Sequence, residues 1–392
     1  MALDLSASPE PSHDGAVRER YAAAAARLEP ALCCPVEYDP RYLQAIPPEV
    51  LERDYGCGDP SRWVREGDTV LDLGSGAGKI CFIAAQVAGP TGRVIGIDAT
   101  ADMLALARKA REDVAVALGY DNVEFRHGRI QDLDLDLDAL EAWLHEHPVR
   151  DVASLAAFES HKEALRREAP LVPDASVDLV VSNCVLNLVR GEDKSRLIRE
   201  IFRVLKMEGR IAISDIVSDE AVPQHLKADP ELWSGCVSGA FQERELLAEL
   251  EAAGFHGIAI EEWAEEPFAV VEGIEFRSVT VTAHKGKQGP CYETNQAVVY
   301  RGPWRRVEDD DGHILVRGER TAVCEKTFRL LTSDPYGGET IPVSPRLTVA
   351  ETETEERVFD CTRPQLRDPR ETKGAAYRET QAPASGKGEG CC

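Results

Sequence analysis

Short apolar runs alternate with amphipathic stretches through the middle of the chain, from Asp68 onward. The runs have the composition of buried strands and cover residues 69–74, 93–99, 123–128, 177–184 and 210–217. The intervening stretches carry apolar residues at helical spacing, most clearly at 101–118, 194–206 and 243–253. Two later runs are expected to pair as an antiparallel edge, 257–263 and 276–285. The pattern predicts an α/β fold with a doubly wound, mostly parallel, seven-stranded sheet.

This pattern is preceded by a different one and is interrupted once. Residues 1–15 are acidic and polar, and we expect them to be disordered. Residues 16–66 show a broken helical pattern with several prolines, which predicts a set of short helices. Between the third and fourth strands, residues 132–173 predict a helical insertion into the domain at 67–285. Asp alternates with Leu at the start of this insertion, and we expect the Asp residues to solvate one of its faces.

The composition changes again after Lys285. The segment KGKQGP predicts a linker, and the short runs AVVYRGPW, HILVRGERTAV and EKTFRLL predict a small β-rich module over residues 286–345. Residues 346–392 are rich in Thr, Glu, Arg, Pro and Gly, and they are predicted to form a mobile tail.

The 392 residues include 45 Lys and Arg against 69 Asp and Glu, for a formal charge of −24, and 11 Cys. Because this charge repels phosphate backbones and anionic lipids, we expect neither nucleic acid nor a membrane as a partner. The N-terminus shows no basic leader, and no run approaches the roughly 20 apolar residues of a membrane helix, which predicts a cytoplasmic protein. Thiols stay reduced there, so the cysteines are expected to be ligands, catalytic groups or core residues rather than disulfides.

A glycine-rich turn follows the first predicted strand and precedes a predicted helix. Glycines here allow a tight turn close to a ligand, and the helix adds N–H donors. Asp98 ends the next strand, where a carboxylate binds the ribose of an adenosyl cofactor, although nicotinamide cofactors use such an acid too. Asp72 suits a sulfonium ligand with an amino group rather than a pyrophosphate, which favours S-adenosylmethionine. The predicted cofactor-binding residues are Asp72, Gly74, Ser75, Gly76, Gly78, Asp98, Ala99, Met103, Gly128, Arg129 and Ile130.

Three cysteines are expected around the ligand crevice, which in such sheets lies at the carboxyl ends of the strands. Cys184 ends the fourth predicted strand, Cys57 lies between glycines upstream of the first, and Cys236 follows the fifth. Three thiols from separate segments suit a soft, thiophilic centre in trigonal coordination. A structural zinc site is a competitor, but it usually shows C-x2-4-C pairs, which this sequence lacks. Cys81 lies on an apolar helix face and is expected in the core.

Four segments resemble the arsenite S-adenosylmethionine methyltransferases: YGCG at 55–58, LDLGSGAGKICF at 71–82, SNCVLNLV at 182–189 and SGCVSGAF at 234–241. The resemblance covers residues 33–285, and the segments QAVVYRGPW and GERTAVCEKTFRLL are similar to the C-terminal domain of bacterial members. It implies a Rossmann-like class I methyltransferase fold and an enzyme of arsenite detoxification that methylates trivalent arsenic.

The resemblance also implies roles for particular cysteines. Cys57, Cys184 and Cys236 are expected to bind arsenite or methylarsenite as thiolates, and the arsenic lone pair takes the methyl group without a general base. A further cysteine, either Cys33 or Cys34, is expected to form disulfides during the cycle. Thioredoxin or glutathione would then restore the thiols.

Other functions stay open at this point. One alternative is methylation of another soft element, such as selenium or mercury, or of a small organic thiol or amine. Another is a non-catalytic metalloid-binding protein, against which the intact cofactor motif counts. Asn183 and Asn187 are expected to cap the end of the fourth strand and to shape the pocket, and His127 is either a residue near the adenine or a structural histidine. Cys391 and Cys392 are either a shuttle for metalloid or electrons or a thiol pair without function, while Cys291, Cys324 and Cys361 are expected to be core or incidental residues.

Overall fold

The computed structural model describes residues 13–26, 36–53, 55–346, 357–374 and 376–380. The chain divides into two compact units, the first ending at Gly286 and the second beginning at Lys287. This division falls next to the linker that the sequence predicts after Lys285. Cys33, Cys34, Cys391 and Cys392 lie outside the described residues.

The described residues of the first unit build a nine-stranded sheet with the main order β3-β2-β1-β4-β5-β9-β7. Neighbouring strands from β3 to β5 run parallel, and β9 runs antiparallel to both β5 and β7. Short strands β6 and β8 pair with β5 and β9. This order confirms the predicted doubly wound, mostly parallel fold and its antiparallel edge. The strands are β1 Thr69–Leu73, β2 Arg93–Asp98, β3 Val123–His127, β4 Val177–Asn183, β5 Leu205–Ser218, β6 Phe241–Gln242, β7 His256–Trp263, β8 Ala269–Val271 and β9 Ile274–His284.

Helices cover both faces of this sheet. Predicted helices at 101–118 and 243–253 are confirmed as α5 and α11, whereas the helix predicted at 194–206 runs from Gly191 to Val204 because β5 already begins at Leu205. The helices are α1 His13–Ala26, α2 Pro40–Leu43, α3 Pro48–Leu51, α4 Lys79–Ala88, α5 Ala101–Leu118, α6 Leu137–Glu146, α7 Val152–Glu168, α8 Gly191–Val204, α9 Gln224–Lys227, α10 Pro230–Ser234 and α11 Glu243–Ala253. Because α1 begins at His13, the disorder expected through residue 15 is wrong for 13–15, and residues 1–12 lie outside the description.

The insertion at 132–173 forms α6 and α7, as the sequence predicts, but its Asp residues do not all face solvent. Leu133 and Leu135 are buried, Leu133 in the apolar cluster that also contains Leu71, and Asp132 is buried as well. Asp132 accepts hydrogen bonds from Arg166 of α7 and Arg196 of α8. The prediction that the Asp residues solvate one face of the insertion is therefore wrong at Asp132, whose carboxylate joins α7 to α8.

Two apolar clusters lie against the sheet, one on each face. Leu71 and Leu73 of β1 point into one cluster and Val70 into the other, which reflects the alternation of side chains along a strand. Cys81 of α4 is fully buried in the second cluster, as predicted. Among the described residues, no helix has the length and apolar character needed to cross a membrane.

The second unit is rich in short strands, in agreement with the predicted β-rich module. One sheet has the order β13-β10-β14, and β11 pairs with β12. The elements are β10 Ala297–Tyr300, β11 Arg306–Glu308, β12 Ile314–Val316, β13 Arg320–Ala322, α12 Glu325–Leu331, β14 Thr340–Val343 and α13 Pro369–Lys373.

The mobile tail predicted at 346–392 is wrong for residues 357–374. Phe359 is buried, and the side chain of Arg367 is fully buried with its guanidinium bonded to Glu293 and Glu371. This segment is thus an ordered part of the second unit. Residues 347–356 and 381–392 lie outside the description.

Candidate active site

A cavity of about 590 Å³ opens at the carboxyl ends of β1, β2 and β4, where ligand crevices of doubly wound sheets are found. Its volume is in the range of sites for small ligands. Nine of the eleven predicted cofactor residues line it: Asp72, Gly74, Ser75, Gly76, Asp98, Ala99, Met103, Arg129 and Ile130. Cys184 and Asn183 line the same cavity.

Gly78 and Gly128 are not among the residues that line this cavity, and their role in cofactor binding stays a prediction. Gly78 caps α4 with φ of 92°, and a Cβ on it would strike the ring of Phe125. A Cβ on Gly128 would collide with Leu171. Both positions require glycine for packing, and a sequence pattern does not distinguish that need from ligand contact.

The turn between β1 and α4 presents backbone and hydroxyl groups to the cavity. Gly74 and Gly76 adopt φ of 70° and 51°, and a Cβ on Gly74 would collide with Val185. Ser75 Oγ is buried and has no hydrogen-bond partner among the described residues. A buried polar group without a partner costs free energy, so this hydroxyl points to a bound ligand.

Asp98 stands at the end of β2 with its carboxylate held by the backbone. Oδ2 accepts from the N–H of Gly76 at 2.9 Å, and Oδ1 accepts from Thr100 N–H at 2.7 Å. Burial raises the pKa of Asp98, while these backbone donors pull it down. The carboxylate is thereby fixed at the cavity wall, in the position expected for a ribose acceptor.

Asp72 is buried in β1 beneath the glycine turn. Burial raises its pKa to about 7, a hydrogen bond from the thiol of Cys81 lowers it, and the nearby Asp98 carboxylate raises it. The Cys81 Sγ lies 3.2 Å from Asp72 Oδ2. Cys81 is thus a core residue with a polar partner in the site, a contact that helical periodicity alone does not reveal.

One wall of the cavity comes from the insertion, which the sequence left without a role. Helix α6 contributes Leu137, Leu140, Glu141 and Leu144. The three leucines are spaced three and four residues apart, so the signal for this apolar face was present in the sequence. His127 also lines the cavity, and its Nδ1 lies 2.9 Å from Asp138 Oδ1. Further lining residues that sequence reasoning missed include Tyr21, Tyr55, Lys79, Thr100 and Gln131.

The three predicted cysteines meet beside this cavity. Cys57 and Cys184 are joined by a disulfide with Cα atoms 5.8 Å apart, and Cys236 Sγ donates to the carbonyl of Cys184 at 3.0 Å. Tyr21 Oη lies 3.8 Å from the Cys236 sulfur. All three cysteines are buried, and they belong to an apolar cluster with Ile216, Val222, Leu226, Val237, Ala240, Ile274 and Phe276.

The sequence predicts three thiolates, and the structure differs in the redox state of two of them. Among the described residues no group of three His, Cys, Asp or Glu side chains is arranged to hold a metal ion. With Cys57 and Cys184 in a disulfide, only Cys236 of the three carries a thiol. A trigonal thiolate site therefore requires reduction of this bond.

Asn183 and Ser278 fix the loop that carries Cys57. Asn183 Oδ1 accepts from the N–H groups of Cys57 and Gly58 at 2.8 and 3.2 Å, and its Nδ2 donates to the Gly58 carbonyl. Ser278 Oγ donates to the Cys57 carbonyl at 2.7 Å. These contacts are long-range in sequence, so only the structure assigns them. They hold Cys57 beside the end of β4.

Cys184 and Cys236 are held in strained backbone conformations, with φ of 58° and 61°. Asp215 holds the loop after Cys184 by accepting hydrogen bonds from the N–H groups of Val185 and Leu186. Burial raises the pKa of Asp215 to about 6. Asn187 is fully buried and donates to the carbonyls of Ile216 and Cys236. Asn187 thus ties the two cysteine loops together without lining the cavity.

The loop after Cys236 has a further anchor in Lys194. Its Nζ donates to the Gly239 carbonyl at 2.6 Å and lies 3.7 Å from the ring centre of Phe241. Burial lowers the pKa of Lys194 to about 8. A buried ammonium group with a carbonyl and a ring as partners limits the movement of this loop.

The chain is similar to known proteins over most of its length. A methyltransferase domain model matches residues 65–167 and 154–254, and a domain of unknown function, DUF8838, matches 287–377. The arsenite methyltransferase of Aquipseudomonas alcaligenes is 31% identical over 78% of this chain and 82% of its own. That of Homo sapiens is 30% identical over 77% of this chain and 76% of its own. An arsenic(III) S-adenosylmethionine methyltransferase structure from Chlamydomonas reinhardtii superimposes with a TM-score of 0.54 and 26% identity, covering 83% of this chain and all of that one.

Proposed function

The chain belongs to the arsenite methyltransferase family, and from this membership we infer that it transfers a methyl group from S-adenosylmethionine to trivalent arsenic. The observation that carries the assignment to this site is the meeting of Cys57, Cys184 and Cys236 in a buried apolar cluster. Cys184 belongs to that cluster and to the lining of the cavity that also contains Asp72 and Asp98.

The cavity has the features that the cofactor requires. Asp98 would accept the ribose hydroxyls, Asp72 would accept the amino group, and Ser75 Oγ has an open donor and acceptor. The leucines of α6 would cover the adenine side. Bound there, S-adenosylmethionine supplies an electrophilic methyl group on a positively charged sulfonium.

The three cysteines are proposed to bind arsenite or methylarsenite as thiolates. Thiolate sulfur is the preferred ligand of a soft centre, and the surrounding apolar side chains exclude water from it. A trivalent arsenic centre already has a lone pair, so these residues act by holding the substrate in line rather than by removing a proton. Asn183, Asn187 and Lys194 are positioning residues, because each fixes a loop that carries a cysteine.

Binding of arsenic must follow reduction of the Cys57–Cys184 disulfide. Two thiols of a reductant are oxidised to a disulfide while the two protein sulfurs gain the electrons and protons. Thioredoxin or glutathione is the proposed source, and a reducing compartment such as the cytoplasm is the proposed location. Cys33 or Cys34 remains the proposed redox partner. A non-catalytic metalloid-binding protein is not favoured, since the cofactor cavity is complete.

The test is methylation of arsenite by the reduced protein with labelled S-adenosylmethionine. We expect Cys184→Ser and Cys236→Ser to lower the rate by at least about a hundredfold, because even groups that only orient the ligands of a metal are worth about 10–100-fold. The rate is measured as labelled methylarsenicals separated by chromatography. Without reductant, the wild-type protein is expected to give no product.

Cys361→Ser is the matched control, since Cys361 is exposed and lies in the second unit. It should retain the wild-type rate. Full activity in the Cys184→Ser variant would rule out the three-thiolate site. Methylation of selenite or a small thiol in preference to arsenite would instead support one of the other substrates.

A further inference from the structure

The second unit brings together two cysteines that are separated by 33 positions in the sequence. Cys324 is buried, Cys291 is half-buried, and both pack in one cluster with Ala322 and Phe359. The two segments are joined by a backbone hydrogen bond from Glu325 N–H to the carbonyl of the residue after Cys291, at 2.9 Å. Cys324 is therefore a core residue of this unit, as expected, and Cys291 packs against the same cluster.

The two side chains also interact directly. Burial raises the pKa of the Cys324 thiol, hydrogen bonds from Thr327 lower it, and a hydrogen bond with the side chain of Cys291 raises it. Cys361 is nearby in sequence to Phe359 but is exposed, and its sulfur contacts only the Phe359 carbonyl, at 3.9 Å, among the bonds of the described residues. Among its described residues, the unit thus contains one close pair of thiols and one separate thiol.

We propose that Cys291 and Cys324 form a second binding site for trivalent arsenic, distinct from the methylation site and specific for arsenicals with two exchangeable ligands. Two adjacent thiols match a monomethyl or monoaryl arsenical, whose third ligand is a carbon that does not exchange. The half-exposed Cys291 gives access, and the apolar neighbours Ala322 and Phe359 accommodate the organic group.

The binding step is a condensation without electron transfer. Each thiol loses its proton to one hydroxyl group of the arsenical, two As–O bonds break, two As–S bonds form, and two water molecules leave. The arsenic stays trivalent and no oxidant is consumed. The site would hold the first methylated product of the proposed reaction, yet it is independent of whether methylation takes place.

The test counts arsenic adducts on the reduced full-length chain by native mass spectrometry, with phenylarsine oxide as the probe. The parent protein for this test carries Cys57→Ser, Cys184→Ser and Cys236→Ser, so that adducts at the methylation site are removed. We expect Cys291→Ser and Cys324→Ser each to lose one adduct, of the mass of the hydrated probe less two waters. Cys361→Ser should keep the parent number.

Cys324→Ser is a conservative change, because Cys324 caps α12 by accepting from Thr327 N–H and serine is a preferred cap. Equal thermal unfolding midpoints would show that a lost adduct is not a folding defect. An unchanged number of adducts in Cys291→Ser would overturn the proposal. With the other cysteines intact, Cys291→Ser should methylate arsenite at the wild-type rate, and a slower rate would overturn the independence of this site. Failure of wild-type methylation would count against the proposed function alone.

Discussion

The carboxylate of Asp72 shows how burial and a single donor set the charge of a binding site. It is nearly inaccessible to solvent, the thiol of Cys81 donates to it, and Asp98 is close enough to raise its pKa. With a pKa of about 7, this group is partly protonated near neutral pH. Without a ligand, protonation of Asp72 leaves no unpaired charge in the buried site. A cationic ligand pairs with the ionised carboxylate and stabilises that form.

We therefore predict that S-adenosylmethionine binds more weakly as the pH falls through about 7. The cation prefers ionised Asp72, so below this pKa a proton must leave before binding, and Kd should rise by up to about tenfold per pH unit. Above about pH 7 the carboxylate is already ionised and Kd should level off. Isothermal titration calorimetry between about pH 6 and 8.5 measures the effect.

Asp72→Asn is expected to bind the cofactor weakly and with a flattened pH dependence. Asp102→Asn is the control, because Asp102 is exposed in the first turn of α5 and does not line the cavity. It should reproduce the wild-type curve. A wild-type slope in Asp72→Asn would assign the titration to another group, such as Asp98.

At the same scale, the sequence predicts some site residues and not others. Cys57, Cys184 and Cys236 are recognised because glycines or a strand end mark each local context. The hydrogen bonds from Asn183 and Ser278 to the Cys57 loop are not predicted, because they span 126 and 221 positions. The disulfide is not predicted either, since reduced thiols were expected from the compartment and pairing depends on distances in the folded chain.

At the scale of elements, alternating strands and helices predict the sheet well, while connections between helices are visible only in the structure. The insertion is predicted as helical from its periodicity, but its attachment depends on Asp132. This buried carboxylate accepts hydrogen bonds from Arg166 of α7 and Arg196 of α8, with N–O distances of 2.6 and 2.7 Å. Helix α6 then reaches the cavity with its leucine face. The insertion is thus part of the site wall.

We predict that Asp132→Asn destabilises the first unit by about 2–3 kcal/mol. The amide has one acceptor oxygen and no charge, so two guanidinium groups lose charge-assisted hydrogen bonds, which are worth about 1.5–3 kcal/mol. The shift is measured as the change in free energy of unfolding in urea, followed by circular dichroism. Loosening of α6 should also weaken cofactor binding.

Glu163→Gln is the matched control for this change. Glu163 pairs with the same Arg166, but its side chain is 65% exposed, so the loss should stay below about 1 kcal/mol. Equal effects of the two substitutions would contradict the anchoring role of Asp132.

At the scale of the whole molecule, each unit has its own core. Three apolar clusters lie entirely before Gly286, and two others lie entirely after Lys287. The sequence predicts the change near Lys285 from composition. It does not predict that residues 357–374 belong to the second unit, because Arg367 is buried by ion pairs to Glu293 and Glu371 rather than by an apolar pattern.

We predict that a chain ending at Gly286 folds and binds S-adenosylmethionine with the affinity of the full chain. Every residue that lines the cavity, and all three cysteines of the proposed arsenic site, precede this point. A chain ending at Ala253 should fail, since it lacks β7 and β9. Loss of β9 removes the partner of β5 along nine residue pairs, exposes that strand as an open edge, and deletes Val279, Val281 and Ala283 from the core. Circular dichroism and calorimetric titration distinguish these outcomes. A chain ending at Gly286 that is unfolded or does not bind the cofactor would show that the two units depend on each other for stability.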